Sequence, residues 1–162
     1  MRYTLRPATA DDRDGLFALR CATMRPYVEQ TWHAWDATAQ RALFEAALAL
    51  TDMQVIVAGG GDAGLLHVER DADGIFLANI QIHPDFQNRG LGTAVIRTLL
   101  DEARTRGEPV RLQVLKVNHA ACRLYQRLGF AITGETAHHV RLVWRPEGGI
   151  GGLGWGRLSE PA

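Results

Sequence analysis

With 162 residues, 46% of them hydrophobic and 22% charged, the chain is sized for one domain whose single core needs no covalent staples. Its 18 basic and 18 acidic residues cancel, which excludes a global electrostatic pull toward nucleic acid or an anionic membrane. Cys21 and Cys122 provide no disulfide framework and no apolar run approaches a membrane span, so a reducing, cytoplasmic setting is expected.

Residues 3–6 read as a first strand closed by Pro7, and its start directly after Arg2 leaves no room for an apolar leader. Thr9 and Asp12 form a capping box for a first helix with Leu16, Leu19 and Thr23 on its inner face. The next segment, 24–36, gathers Tyr27, Glu29, Trp32, His33 and Trp35, and Asp36 caps a second helix with the stripe Leu43, Phe44, Ala47 and Leu48. Strands at 53–58, 63–70 and 74–82, separated by turns at 59–62 and 73–74, make an antiparallel meander. In the last of them alternation puts Phe76, Ala78, Ile80 and Ile82 on one face and Asn79 and Gln81 on the other. A helix follows on Leu91, Val95, Leu99 and Ala103, ending in Arg104, Arg106 and Gly107. The strand at 110–117 lies between two helices and is expected to run parallel to its predecessor. A short helix ended by Gly129 and a hairpin of 130–136 with 138–144 complete a domain of residues 1–146. Residues 147–162 form a glycine-rich tail, flexible or docked as a strand through Ile150, Leu153 and Trp155. Gly149, Gly151 and Gly154 match a dinucleotide fingerprint in spacing, without the helix and second strand that such a site needs.

The clearest chemical pattern starts at Ile80: Ile-Gln-Ile-His-Pro-Asp-Phe-Gln-Asn-Arg-Gly-Leu-Gly-Thr-Ala-Val. Pro84 stops a strand, and Gly90 and Gly92 stand where a helix begins. The first N–H groups of that helix have no partner within it, the macrodipole favours negative charge, and Arg89 adds a full positive one. A phosphate or pyrophosphate is the natural occupant. Taken alone, the pattern is equally that of a tight connection where only glycine fits.

A second stretch bears on this choice: Asn118-His119-Ala120-Ala121-Cys122-Arg123-Leu124-Tyr125-Gln126-Arg127-Leu128-Gly129-Phe130. Gln-x-x-Gly-x-Gly after a strand ending in Ile-x-Ile, with Asn-x-x-Ala-x-x-Leu-Tyr-x-x-x-Gly-Phe downstream, resembles the GNAT superfamily of N-acetyltransferases over residues 3–144. The resemblance implies an α/β (mixed α+β) fold with a twisted, mostly antiparallel sheet of about seven strands and about four helices. It also implies acetyl-CoA as cosubstrate, no metal, and transfer of the acetyl group to a primary amine by direct attack in a ternary complex. A non-catalytic acyl-CoA-binding sensor or regulatory module is the alternative, and a dinucleotide enzyme using the tail glycines a third reading.

Carried over residue by residue, the resemblance has the strands flanking the first ligand helix splay near 80–82. Backbone groups at Ile80, Gln81 and Ile82 would then hold the thioester arm, and Gln87, Asn88, Arg89, Gly90, Leu91, Gly92 and Thr93 the pyrophosphate. Asn118 and Ala121 would line the cofactor, and Tyr125 would protonate the departing thiolate. Periodicity alone makes Tyr125 a core residue and Asn118 a helix cap. A phenol pKa of about 10 against about 8.5 for a thiol requires the site to tune the pair. An acceptor amine of pKa about 10.4 is uncharged in roughly one molecule in a thousand at pH 7, so a base is needed. Many relatives carry a glutamate early in the strand ending at Ile82, where this chain has Phe76. The base therefore stays open among Glu69, Glu29, His33, His138 and His139, each of which can equally be a surface or packing group, and Asn79 could orient a water. Tyr27, Glu29, Trp32 and Trp35 would wall an acceptor pocket, or the tryptophans would simply pack the second helix. The six histidines lack the paired spacing of zinc sites. Expected partners are a small-molecule amine or a protein or peptide amine, no nucleic acid and no membrane, with a homodimer allowed because dimers are common in the superfamily.

Overall fold

The computed structural model describes residues 1–147, so the expectations for the glycine-rich tail, its docking residues and its fingerprint lie outside the described residues. The chain runs β1 (Tyr3–Pro7), α1 (Arg13–Trp32), α2 (Ala37–Ala47), β2 (Met53–Ala58), β3 (Gly61–Asp71), β4 (Gly74–Ile82), α3 (Leu91–Arg106), β5 (Val110–Leu115), α4 (His119–Arg127), β6 (Ala131–Glu135) and β7 (His139–Trp144). The strands form one sheet in the order β1-β2-β3-β4-β5-β7-β6. All neighbours are antiparallel except β4 and β5, as the intervening crossover helix requires.

One face of the sheet carries α3, whose Leu91, Val95, Ile96, Leu99, Leu100 and Ala103 pack with Leu66, Val68, Ile75, Leu77, Val110 and Leu112. The other face carries Leu16 and Leu19 of α1 and Phe44 of α2 over Met53, Val55 and Leu65. Burying such a side chain contributes about 1.5–3 kcal/mol, so the two clusters fix which side of the sheet each helix occupies. Local signals place the ends. Asp36 Oδ1 accepts from Ala39 N–H at 2.9 Å to start α2, and Gly107, at φ +67°, ends α3.

Three expectations are corrected. The segment 24–32, read as following the first helix, is the second half of α1, which passes through Pro26 and ends at His33 in a left-handed conformation with φ +61°. A proline inside a helix loses one backbone bond, and the burial of Val28 beyond it, 4% exposed, supplies the compensating packing. In α2 the buried positions are Gln40 and Phe44, while Ala47 is exposed. The third correction is the most consequential. His67 pairs with Asn79 but Val68 with Leu77, so Ala78 is the extra residue of a β-bulge in β4. An extra residue exchanges the two faces of a strand from that point on. Phe76 therefore shares a face with Asn79 and Gln81 along one cavity wall, and Ile80 and Ile82 pack with the α3 core that holds Ile75 and Leu77.

β3 and β4 approach closely at Gly64, where an added Cβ would collide with the Gln81 carbonyl oxygen. Gly64→Ala is expected to cost about 2 kcal/mol through overpacking, a fall in Tm of about 4–8 °C. An unchanged Tm would show that the hairpin yields freely there.

Candidate active site

β4 and β5 pair only at Ile75 with Val110 and Phe76 with Arg111. Beyond that β4 stays with β3 as far as Ile82, while β5 stays with β7 as far as Leu115. A V-shaped cleft opens between them, beginning earlier along the strand than the expected 80–82. Its vertex is held by Arg111, 2% exposed, whose Nη2 donates to both Asp71 carboxylate oxygens at 2.8 Å and whose guanidinium lies 5.9 Å from the Phe76 ring centre.

The cleft encloses a cavity of about 200 Å³ lined by Leu77, Asn79 and Ile80 from one strand, Leu112 to Leu115 from the other, and Asn118, Ala121 and Tyr125. Asn118 Oδ1 accepts from Ala121 N–H at 3.1 Å, so the residue caps α4 while facing the cleft. Tyr125 is buried, stacks edge-on against Phe130 at 5.5 Å, and its hydroxyl has no hydrogen bond among the described residues. Burial raises its pKa, so the phenol is a fully protonated donor aimed at a cavity.

Past the end of β4 the chain makes a single helical turn at Pro84–Phe86 and then an exposed loop in which Asn88 has φ +59° and Gly90 φ +77°. Gly90 caps α3, so the N–H groups of Leu91, Gly92 and Thr93 form its first turn. Arg89 is exposed beside them. The Gln87 side chain points back instead, its Nε2 donating to the Ile82 carbonyl at 2.8 Å, which ties the loop to the strand and occupies that carbonyl.

A second cavity of about 320 Å³ lies across β4, under α1 and α2, and shares Arg20, Ala78, Asn79 and Gln113 with the first. Leu16, Leu43, Phe44, Ala47, Met53, Leu65 and Phe76 make it apolar, and His67, Glu69 and Gln81 are its polar groups. Residues 65, 67 and 69 alternate on one face of β3, which sets His67 Nε2 3.3 Å from Glu69 Oε1. His67 is 8% exposed, and burial lowers its pKa against the smaller opposing pull of Glu69 and Asp52. Glu69 is half exposed at the mouth. Gln81 is buried with its Oε1 unpaired, and its side chain lines this cavity.

The aromatic segment divides. Trp32 lines the cleft and packs against His138 at 5.2 Å, and His139 is buried in the same wall. Glu29 is instead exposed and bonded to Arg25 at 2.7 Å, Trp35 lies 6.0 Å beneath Arg25, and His33 is exposed at the helix end. Tyr27, Glu29 and Trp35 line neither cavity: Glu29 stands on the exposed side of the continuous helix, and Trp35 lies past its end. Two residues escaped the sequence reading. His67 was legible as the partner of Glu69 at strand spacing, whereas Arg20 is one more arginine on a helix until the fold puts it where the cavities meet.

Comparison with known proteins agrees with this geometry. The model of the Acetyltransferase (GNAT) family matches residues 18–130. The [ribosomal protein bS18]-alanine N-acetyltransferase of Salmonella typhimurium is 49% identical over 55 residues, 33% of this chain and 37% of that protein. An L-amino acid N-acyltransferase of Escherichia coli is 38% identical over 58 residues, 35% of this chain and 34% of that one. The matched stretches thus span only about a third of either relative's length. Among solved structures, an N-acetyltransferase from Thermoplasma acidophilum in complex with coenzyme A superposes with TM-score 0.70 at 12% identity, over 90% of this chain and 99% of that chain. The ribosomal-protein-S18-alanine N-acetyltransferase from Escherichia coli gives 0.65 at 22% identity, over 89% and 94%. The seven-stranded sheet that splays between β4 and β5 and the matched sequence together make this chain a member of the GNAT acetyltransferase family.

Proposed function

We propose that the protein is an N-acetyltransferase that moves the acetyl group of acetyl-CoA to a primary amine by direct attack in a ternary complex. The observation that carries this reading is the parting of β4 from β5 after two paired residues, with a helix N-terminus at the far end of β4 and a buried phenol between the strands. The residues suit the group. Among the described residues, the edge of β4 that faces β5 has no strand partner from Leu77 onward, so its outward N–H and C=O groups can pair with the amides of an extended arm, as a further strand would. The exposed turn from Asn88 to Gly90, with two left-handed residues and the start of α3 after it, suits a pyrophosphate, and Arg89 adds charge.

Bound there, acetyl-CoA supplies an acyl group already activated as a thioester. The chain's own contribution is positioning, preformed dipoles and proton transfer. Backbone N–H groups on the free edge of β4 stabilise charge that develops on a carbonyl oxygen in the cleft. Tyr125 donates its proton to the leaving sulfur. Its raised pKa does not forbid this, because a thiolate in the same dry cleft is destabilised as well, so the difference between the two groups matters and not either value alone. On the other side of β4, His67 and Glu69 replace the acid that Phe76 does not supply, and Glu69 stands beside Phe76 in register. His67 held neutral by burial accepts a proton from an incoming ammonium group, and the half-exposed Glu69 passes it toward solvent.

Tyr125→Phe is expected to lower acetyl-CoA-dependent thiol release by about a hundredfold or more while the rise in Tm with saturating acetyl-CoA persists. Unchanged release would remove the proposed role. Burial of neutral His67 also makes stability depend on pH. Its pKa in the folded protein lies below the unfolded value of about 6.5, so the unfolded chain binds the proton first as pH falls. Stability is expected to decline below about pH 6.5, and less steeply in His67→Gln. Equal slopes in the two proteins would mean that His67 is not held neutral.

A further inference from the structure

Arg20 stands on α1 at the junction of the two cavities and lines both. Its Nη2 donates to Oε1 of buried Gln40 at 3.1 Å, its Nε is buried without a hydrogen bond, and no carboxylate lies within ion-pair distance of it among the described residues. Nearly every other partly buried guanidinium on this face is matched. Arg6 has Asp12 and Asp62, Arg41 has Asp14 and Glu45, and Arg111 has Asp71. A guanidinium stays charged in proteins and its planar fork fits a carboxylate. Keeping one desolvated beside a neutral amide leaves a positive charge and an open donor facing the cavity.

The opposite charge stands in the same cavity. Glu69 is at its mouth with His67 beside it, while Leu16, Leu43, Phe44, Met53 and Leu65 supply an apolar wall. A cation, an anion and an apolar surface around about 320 Å³ complement a small zwitterion with a hydrophobic body. Arg20 and Asn79 border both cavities, so a carboxylate on Arg20 leaves an amine one carbon away beside β4.

Resting on the acetyltransferase reading, we propose that the acceptor is an amino acid with an apolar side chain, its α-carboxylate bound by Arg20. Gln40, which holds the guanidinium in place, is the positioning residue.

The test compares L-leucine, L-methionine and L-phenylalanine with their carboxamides, with the corresponding decarboxylated amines, and with a peptide amide beginning in alanine, by acetyl-CoA-dependent thiol release. The free acids are expected to have kcat/KM about tenfold to a hundredfold above the uncharged analogues, the range of a hydrogen-bonded charge pair. Arg20→Met is expected to abolish that preference by raising KM for the acids alone, and Arg20→Lys to restore part of it. The comparison within the unaltered protein stands even where a variant folds poorly. Amides, amines or the peptide turned over as well as the acids would overturn the proposal and leave the acetyltransferase intact. A variant that raises KM equally for acids and amides would also overturn it. No stabilisation by acetyl-CoA and no release with any amine would instead remove the acetyltransferase reading, and this proposal with it.

Discussion

Two strands that begin as neighbours and then part give the molecule its working shape. At Ile75 and Phe76 β4 is paired to β5 as any parallel strand would be, and one residue later that pairing stops. Each backbone N–H or C=O left without a partner in a buried setting costs about 1–3 kcal/mol, so separation must be enforced from outside. β3 pairs along β4 to Ile82 and β7 pairs along β5 to Leu115, pulling the two strands into different halves of the sheet. The Arg111–Asp71 pair, with Phe76 beneath the guanidinium, clamps the vertex. An extended amide-bearing arm relieves the unpaired edge, and on this account that relief is part of what makes the cleft bind.

The bulge at Ala78 adds a second division. By exchanging the faces of β4 it turns Asn79 and Gln81 toward α1 and α2 and commits Ile80 and Ile82 to the α3 core. One strand then separates two cavities of different character. The cleft holds the buried phenol, the other cavity holds the imidazole and the carboxylate, and the Arg20 guanidinium borders both. Donor and acceptor can approach the same stretch of β4 from opposite sides with proton-handling groups already in place. This arrangement suits transfer without a covalent enzyme intermediate.

What the sequence disclosed depended on whether the signal was local. Element order, the glycine turn before α3, the Asn118 and Asp36 caps and the parallel strand after the crossover all follow from residues a few positions apart, and the fold has them. The faces of β4 were misread because a bulge is set by pairing with β3, and the chain around Ala78 contains no glycine or proline to announce it. The segment from Met24 was set apart from the first helix because the packing of Val28, which carries the helix through Pro26, is tertiary. That continuation put Glu29 on the exposed side of the helix and left Trp32 on the cleft wall. Arg20 could not be singled out at all, since its meaning lies in which carboxylates are not near it.

The central claim is that the free edge of β4 and the first turn of α3 bind acyl-CoA. Amide hydrogen exchange of the full chain, with and without saturating acetyl-CoA, tests it at the residues concerned. The account predicts slower exchange confined mainly to residues 77–82, 88–93 and the neighbouring start of α4. Protection that falls elsewhere, or on the glycines at 149–154, with β4 and α3 unchanged, would contradict it.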